Sequence, residues 1–313
     1  MIKIENMHFR DVFFNELLKK MENDRNIMLL TNDMGAPSLD QFKEKVPEQL
    51  VNMGITEQNI VGTAAGLSSR GKKVVIYSIS TFITLRSFEQ IKLDLCVMKL
   101  PAIIVTVGAG YSYAVDGPTH HAIDDISVMN TLANMNIYSP SDSLITKNIT
   151  THIFKFKKIN YLRLERGVWP ILTKKTNIKN GFRIVSKGDD LCIVSTANMV
   201  HKSLSIANEL KNFKISTTVI DLFRIKPLQD KELLKILKKF KKICVLEEHT
   251  ENGGIGSIIL NNFHSLVKKN TNFLNLGIKD KFLYTYGKRD KIHSKAGLDK
   301  DSIKRKLLNF YNK

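Results

Sequence analysis

The chain has 313 residues, 43% apolar and 25% charged, which are the proportions of a globular protein with room for two ordinary domains. Lysine and arginine outnumber aspartate and glutamate by 48 to 30, a formal charge of +18. The basic residues are nonetheless scattered, and the densest run, KILKKFKKI, reads as the solvated side of a helix entering a strand. No nucleic-acid module accompanies it, so nucleic acid is not an expected partner. No apolar run approaches the roughly 18–20 residues that span a bilayer, and the opening MIKIENMHFRDVF lacks the apolar core of a signal peptide. The expected setting is cytoplasmic, with no membrane partner. Cys96, Cys192 and Cys244 lie far apart inside apolar stretches and read as buried packing residues.

Taken in order, short apolar runs alternate with helical stretches. Residues 26–30, 73–80, 101–107, 135–140 and 160–165 read as strands. Between them, helices are expected over 57–69, over 86–99 with Phe88, Ile91, Leu95 and Met98 on one side, around 124–133, and over 143–156. A Lys- and Asn-rich stretch at 167–180 has the composition of a linker. The alternation then restarts, with strands at 191–196, 215–222 and 242–248 and helices at 199–212, 229–240 and 255–268. The fold class expected is α/β in two domains, 1–166 and 181–313, each a mostly parallel sheet flanked by helices.

Four stretches of the first domain are unusual for a structural unit. In NMGITEQNIVGTAAGL, Glu57 stands at the mouth of an otherwise apolar helix, with Gly54 in the turn before it. A glutamate in a first helical turn complements the helix dipole, a contribution of about 0.3–1 kcal/mol, but that leaves the neighbouring loops unexplained. STFITLRSFEQ sets Phe82 and Arg86 just past a strand. GAGYSYAVDGPTHHAIDD is a long loop carrying Asp116, His120 and His121. RLERG places Arg163 and Arg166 at the end of the last strand. In a parallel sheet, loops that follow strands gather along the carboxyl edge, where ligands bind. Glu57, Phe82, Asp116, His120 and Arg166 are therefore expected to converge.

GITEQNIVGTAAGL, STF, DGPTHHAIDDISVM and ERG resemble the pyrimidine-binding domain of the transketolase family, whose cofactor is thiamine diphosphate. GDDLCIVSTANMVHKSLSIANEL, DLFRIKPLQ and LEEHTENGGIG resemble the C-terminal domain of that family. The resemblance implies that Glu57 hydrogen-bonds N1′ of the cofactor's aminopyrimidine, and that Phe82 stacks on this ring with Arg86 and Asp33 nearby. It also implies that Asp116 and His120 hold hydroxyl and carbonyl groups of a sugar, with His120 taking part in the chemistry, and that Arg166 binds substrate phosphate. Two positions depart from the family pattern. Gly108 stands where many transketolases have histidine, and Leu85 where they have a second aromatic residue.

The family binds the cofactor's diphosphate and Mg2+ through a G-D-G motif in a separate N-terminal domain. The nearest string here is Gly188-Asp189-Asp190, in the wrong domain and without the second glycine. The Gly253-Gly254-x-Gly256 turn reads as a strand-to-helix turn and not as the missing anion site. The resemblance thus implies half of a split transketolase, completed by an N-terminal diphosphate-binding subunit that holds most of the Mg2+ contacts. Self-association into a heterotetramer and a sugar or sugar-phosphate substrate are expected with it. Two other readings stand beside this one: the β subunit of a 2-oxo-acid dehydrogenase or decarboxylase complex, against which D-G-P-T-H argues, and a non-catalytic scaffold, which has no use for Glu57 with Phe82.

Overall fold

A computed structural model describes residues 4, 7–174, 176–228, 230–263 and 271–313. The apolar runs of the first half form β1 (Ile27–Thr31), β2 (Leu50–Asn52), β3 (Lys73–Ile79), β4 (Ala102–Val107), β5 (Met135–Tyr138) and β6 (Ile159–Leu164). These pair in parallel in the order β5-β6-β4-β3-β1-β2. β4 and β6 are buried along their whole length, as strands covered on both faces must be. Helices α1 (Phe9–Met21), α2 (Pro37–Lys45), α3 (Glu57–Ser69), α4 (Phe88–Gln90), α5 (Asp125–Asn130) and α6 (Ser143–Ile153) supply the cover.

In the second half, β7 (Phe182–Ser186), β8 (Leu191–Ser195), β9 (Thr217–Leu222), β11 (Lys242–Thr250) and β12 (Asn272–Ile278) form a sheet in the order β12-β11-β8-β9-β7, with β7 antiparallel. Its helices are α7 (Met199–Leu210), α8 (Asp230–Leu237), α9 (Ile255–Asn262), α10 (Arg289–Ala296) and α11 (Lys300–Asn312). The helix expected over 255–268 is seen to Asn262, and its positions 264–268 lie outside the described residues. One strand changes sides: β10 (Arg224–Lys226) leaves the second half and adds antiparallel to β5, at the edge of the first sheet. A single buried apolar cluster accordingly runs from Ile76 and Ile104 in one sheet to Val194 and Val245 in the other.

The segment expected as one regular helix over 86–99 is built differently. Wide π turns at Phe82–Arg86 and Ile91–Val97 flank the short α4. Their i→i+5 bonds widen each turn beyond the ordinary helical spacing, so the buried face drifts. Ile91, Leu95 and Cys96 are buried, whereas Met98, expected on the same face, is 61% exposed. The three cysteines are buried and unpaired. Among the described residues no helix is long and apolar enough to cross a membrane.

Candidate active site

Parallel pairing brings the ends of β6, β4, β3, β1 and β2 to one edge, and the residues singled out in the sequence follow those ends. Glu57 opens α3 behind Gly54, whose φ of +69° suits glycine. The carboxylate is almost fully buried and accepts one hydrogen bond, from Arg86 Nη1 at 2.9 Å. Arg86 is held by the π turn that follows β3. Its guanidinium lies 4.1 Å from the centroid of the Phe82 ring, and its backbone carbonyl accepts from Gln58 Nε2 at 3.1 Å. The other contacts continue along the edge. His120 meets Phe82 edge-on at 4.9 Å and Tyr113 at 5.9 Å, and the Arg166 guanidinium lies 5.1 Å from the Tyr113 ring centroid. Glu57, Arg86, Phe82, His120, Tyr113 and Arg166 thus form one chain of contacts.

Two expected members stand apart from that chain. Asp116 is exposed, and among the described residues its carboxylate makes no hydrogen bond or ion pair. Asp33, with φ +52°, exchanges hydrogen bonds with Asn52: its N–H donates to Oδ1 and its Oδ1 accepts from Nδ2, both at 2.9 Å. Asn52 Oδ1 also accepts from the Gly54 N–H at 3.0 Å, so Asp33 braces the turn that presents Glu57.

The two arginines of RLERG separate completely. Arg166 is exposed, with its N–H 3.3 Å from Ser112 Oγ. Arg163 is buried, giving Nε to Asp125 Oδ2 at 2.6 Å and Nη2 to the Ala122 carbonyl at 3.0 Å. Burial alone would raise the Asp125 pKa, but the Arg163 charge beside it holds the group below the ordinary range. His121 is buried against Tyr111, and burial lowers its pKa. Arg163 and His121 are therefore structural.

The departure at Gly108 has a physical cause. With φ +105°, a Cβ there would come within 2.5 Å of the Tyr113 ring, so Tyr113 fills the space a side chain would need. The glycine turn before α9 is likewise accounted for. Glu247 accepts from the N–H groups of Ile255 at 2.7 Å and Gly256 at 3.1 Å, so an internal carboxylate already caps that helix.

Sequence reasoning missed Arg10 and His8. With Val107, Glu165 and Arg166 they line a cavity of about 160 Å³. An arginine in the first turn of an unrecognised helix carries no signal of its own. The fold alone brings α1 beside the end of β6.

A family model for the transketolase pyrimidine-binding domain matches residues 5–170, and one for the transketolase C-terminal domain matches residues 181–303. The chain belongs to the transketolase family. Its family relatives include one subunit of the apulose-4-phosphate transketolase of Phocaeicola vulgatus, 30% identical over 97% of this chain and 97% of that protein. The 1-deoxy-D-xylulose-5-phosphate synthase of Clostridium acetobutylicum is 30% identical over 96% of this chain but only 49% of its own length. Among solved structures, a split gene transketolase, described as an inactive β4 tetramer, superposes with a TM-score of 0.85 at 26% identity, covering 98% of this chain and 99% of that one. Transketolase-family homologues are thiamine diphosphate enzymes.

The residues at the edge fit the ring end of that cofactor. The Arg86 guanidinium is a planar, hydrogen-bond-donating cation that covers the Phe82 face and donates to Glu57. A stacked aminopyrimidine protonated at a ring nitrogen would make the same two contacts. Among the described residues no group of three or more His, Cys, Asp or Glu could hold a metal ion.

Proposed function

We propose that this chain is the ring-binding, C-terminal subunit of a split, thiamine-diphosphate-dependent transketolase that moves a two-carbon ketol unit between sugars or their derivatives. The observation that carries the reading is the Glu57–Arg86–Phe82 arrangement, a buried carboxylate and an aromatic face bridged by a half-exposed cation that a ligand can replace. When bound, the cofactor would supply a carbon nucleophile suited to a ketose carbonyl. Glu57 accepts a hydrogen bond from the ring nitrogen in a site dry enough for that bond to bias the ring's protonation. Phe82 orients the ring, Arg86 moves off it, and Asp33 keeps the Glu57 turn in place. His120 and Asp116 would hold sugar oxygens, and His120, packed against Phe82, would be the group that moves a proton there. Arg166 binds substrate phosphate, and Arg10 and His8 add positive charge to the same cavity.

The diphosphate and Mg2+ fall to an N-terminal subunit. Ile55, Leu85, Leu93, Val97 and Met98 leave large apolar side chains exposed on the turn before α3 and on the segment following Phe82. Ile55 and Leu85 are the two nearest in sequence to Glu57 and Arg86, and exposed apolar side chains there suit a partner that closes the site. Self-association is supported by the inactive β4 tetramer named for the similar split transketolase, and joining such copies to the N-terminal subunit gives the heterotetramer of this reading. Three buried, unpaired cysteines suit the reducing cytoplasm.

The test is calorimetric. The chain alone should bind thiamine diphosphate with Mg2+ too weakly to raise its melting temperature appreciably, and adding the diphosphate-binding subunit should restore both tight binding and ketol transfer. Tight, metal-dependent binding by the isolated chain would overturn the split-site reading.

A further inference from the structure

Glu165 is among the residues that line the cavity with Arg10, His8 and Arg166, and it brings a negative charge into their neighbourhood. If that cavity receives a phosphate, as proposed above, the carboxylate should repel the ligand or compete for its arginines. The structure shows why it does neither. Glu165 is almost completely buried, and both its oxygens are engaged from the side of the second domain. Oε2 accepts from Arg289 Nη1 at 2.7 Å and from Ser112 Oγ at 2.9 Å, and Oε1 accepts from Arg289 Nη2 at 3.0 Å.

Arg289 is itself fixed. It begins α10, and its Nε donates to Glu248 Oε1 at 2.8 Å while Nη2 also reaches Glu248 Oε2. Glu248 pairs in turn with His293, whose Nδ1 lies 2.7 Å from Lys202 Nζ. Behind Glu248 stands Gly110, where a Cβ would overlap the carboxylate, so the network has no slack on that side. Burial alone would weaken the Arg289 charge, but the two carboxylates more than restore it. Only a planar fork can serve Glu165 bidentately and Glu248 at the same time; a lysine cannot.

We propose that Arg289 is a positioning residue for substrate specificity: by holding Glu165 at the domain interface, it leaves Arg166, and the donors of Arg10 beyond its Nε pair with Asp11 at 3.0 Å, available to a phosphate group. The second domain, which supplies none of the ring-binding residues named above, thereby decides whether the first accepts a phosphorylated substrate. This rests on the phosphate reading of the cavity.

Inorganic phosphate is the probe, titrated by calorimetry into the purified chain at constant ionic strength. Arg289→Gln should weaken binding by about tenfold or more, since a freed Glu165 competes through charge-assisted hydrogen bonds. Glu165→Gln should bind at least as tightly as the parent. The double variant Arg289→Gln/Glu165→Gln should recover binding to within about threefold of the parent. That rescue separates positioning from a general loosening of the interface, which removing Glu165 would not repair. Should Arg289→Gln fail to fold, Arg289→Lys enters the same cycle, with a smaller loss and the same rescue. Parent-like binding by Arg289→Gln, or a double variant as weak as Arg289→Gln, overturns the inference. Parent-like binding by Arg166→Ala instead overturns the phosphate reading, and the inference with it.

Discussion

Arginine–carboxylate pairs occur at the carboxyl edge of the first sheet and again, buried, at and beneath the contact between the domains, and they differ in how many donors are used. At the edge, Arg86 gives Glu57 a single bond, and its side chain is 50% exposed. Inside the first domain, where His249 of the second packs against it, the Arg163 side chain is 3% exposed and Asp125 accepts from Arg163 and from the Tyr161 hydroxyl at 2.7 Å. Arg183 is placed similarly, reaching Asp221, Asp142 and Ser141 at once. A half-exposed pair of the first kind contributes about 0–1 kcal/mol and can be exchanged for a ligand. Losing one partner of a buried pair costs about 3–5 kcal/mol, because the other charge is stranded. The same two kinds of side chain therefore make an exchangeable contact in one place and a fixed joint in the other.

The contrast can be broken most forcefully at Glu57. Glu57→Gln should leave the fold intact and lower ketol transfer by the assembled enzyme by about 10²–10⁴-fold, because an amide cannot share the proton in the same sense. Near-parental turnover would mean that the edge carboxylate is only a helix-end charge. Arg163→Met should do the reverse. Chemical denaturation should show a loss of about 3–5 kcal/mol, and whatever protein stays folded should keep its cofactor affinity.

Acid probes the joint more gently. His249 accepts from the Ile126 N–H through Nε2 at 3.2 Å and lies against Thr250 O through Nδ1 at 2.8 Å, so the ring is neutral, and its 3.9 Å approach to Asp125 is not an ion pair. Burial lowers its pKa to about 4, beside Asp125 and Arg163. A histidine depressed in the folded state contributes stability that is complete above the unfolded value of about 6.5 and is lost as pH falls toward 4, by about 3 kcal/mol at most. Asp221, raised to about 6, and Glu247, raised to about 8, both by burial, act in the opposite sense over parts of this range. The informative measurement is therefore the difference between parent and His249→Gln, whose stability gap should narrow on acidification. A gap independent of pH would place the proton elsewhere.

The smallest effect belongs to Arg86. Arg86→Ala should change stability by under about 1 kcal/mol while altering cofactor affinity of the assembled enzyme. A large stability loss would show that Arg86 belongs to the joint after all.

Much of this was readable in advance, for identifiable reasons. β4 and β8 are continuous apolar runs rich in β-branched residues, and Glu57 was conspicuous as an acid on an apolar helix. The elements that escaped notice carry weaker patterns. α1 buries Phe9, Phe13, Phe14, Leu17, Leu18 and Met21 on so wide an arc that no stripe stands out. β7, β10 and β12 are short or partly exposed edge strands, fixed by their partners more than by their own alternation. Met98 was misplaced because π turns leave no mark in hydrophobic spacing. At the site, the resemblance singled out Arg166 over Arg163, but sequence order could not show that Tyr113 occupies the space beside Gly108. That depends on which neighbour the fold delivers.

β10 bears on how the protein can be made. During synthesis, β5 is complete long before residues 224–226 leave the ribosome, so its outer N–H and C=O groups face water until the second half is largely translated. A fragment ending in the stretch after β6 would keep that edge open permanently, a template for pairing with other chains. The boundary that looks natural for cutting the chain in two is consequently a poor one. Expressed alone, the first half should aggregate unless the Arg224–Lys226 segment is supplied to seal it.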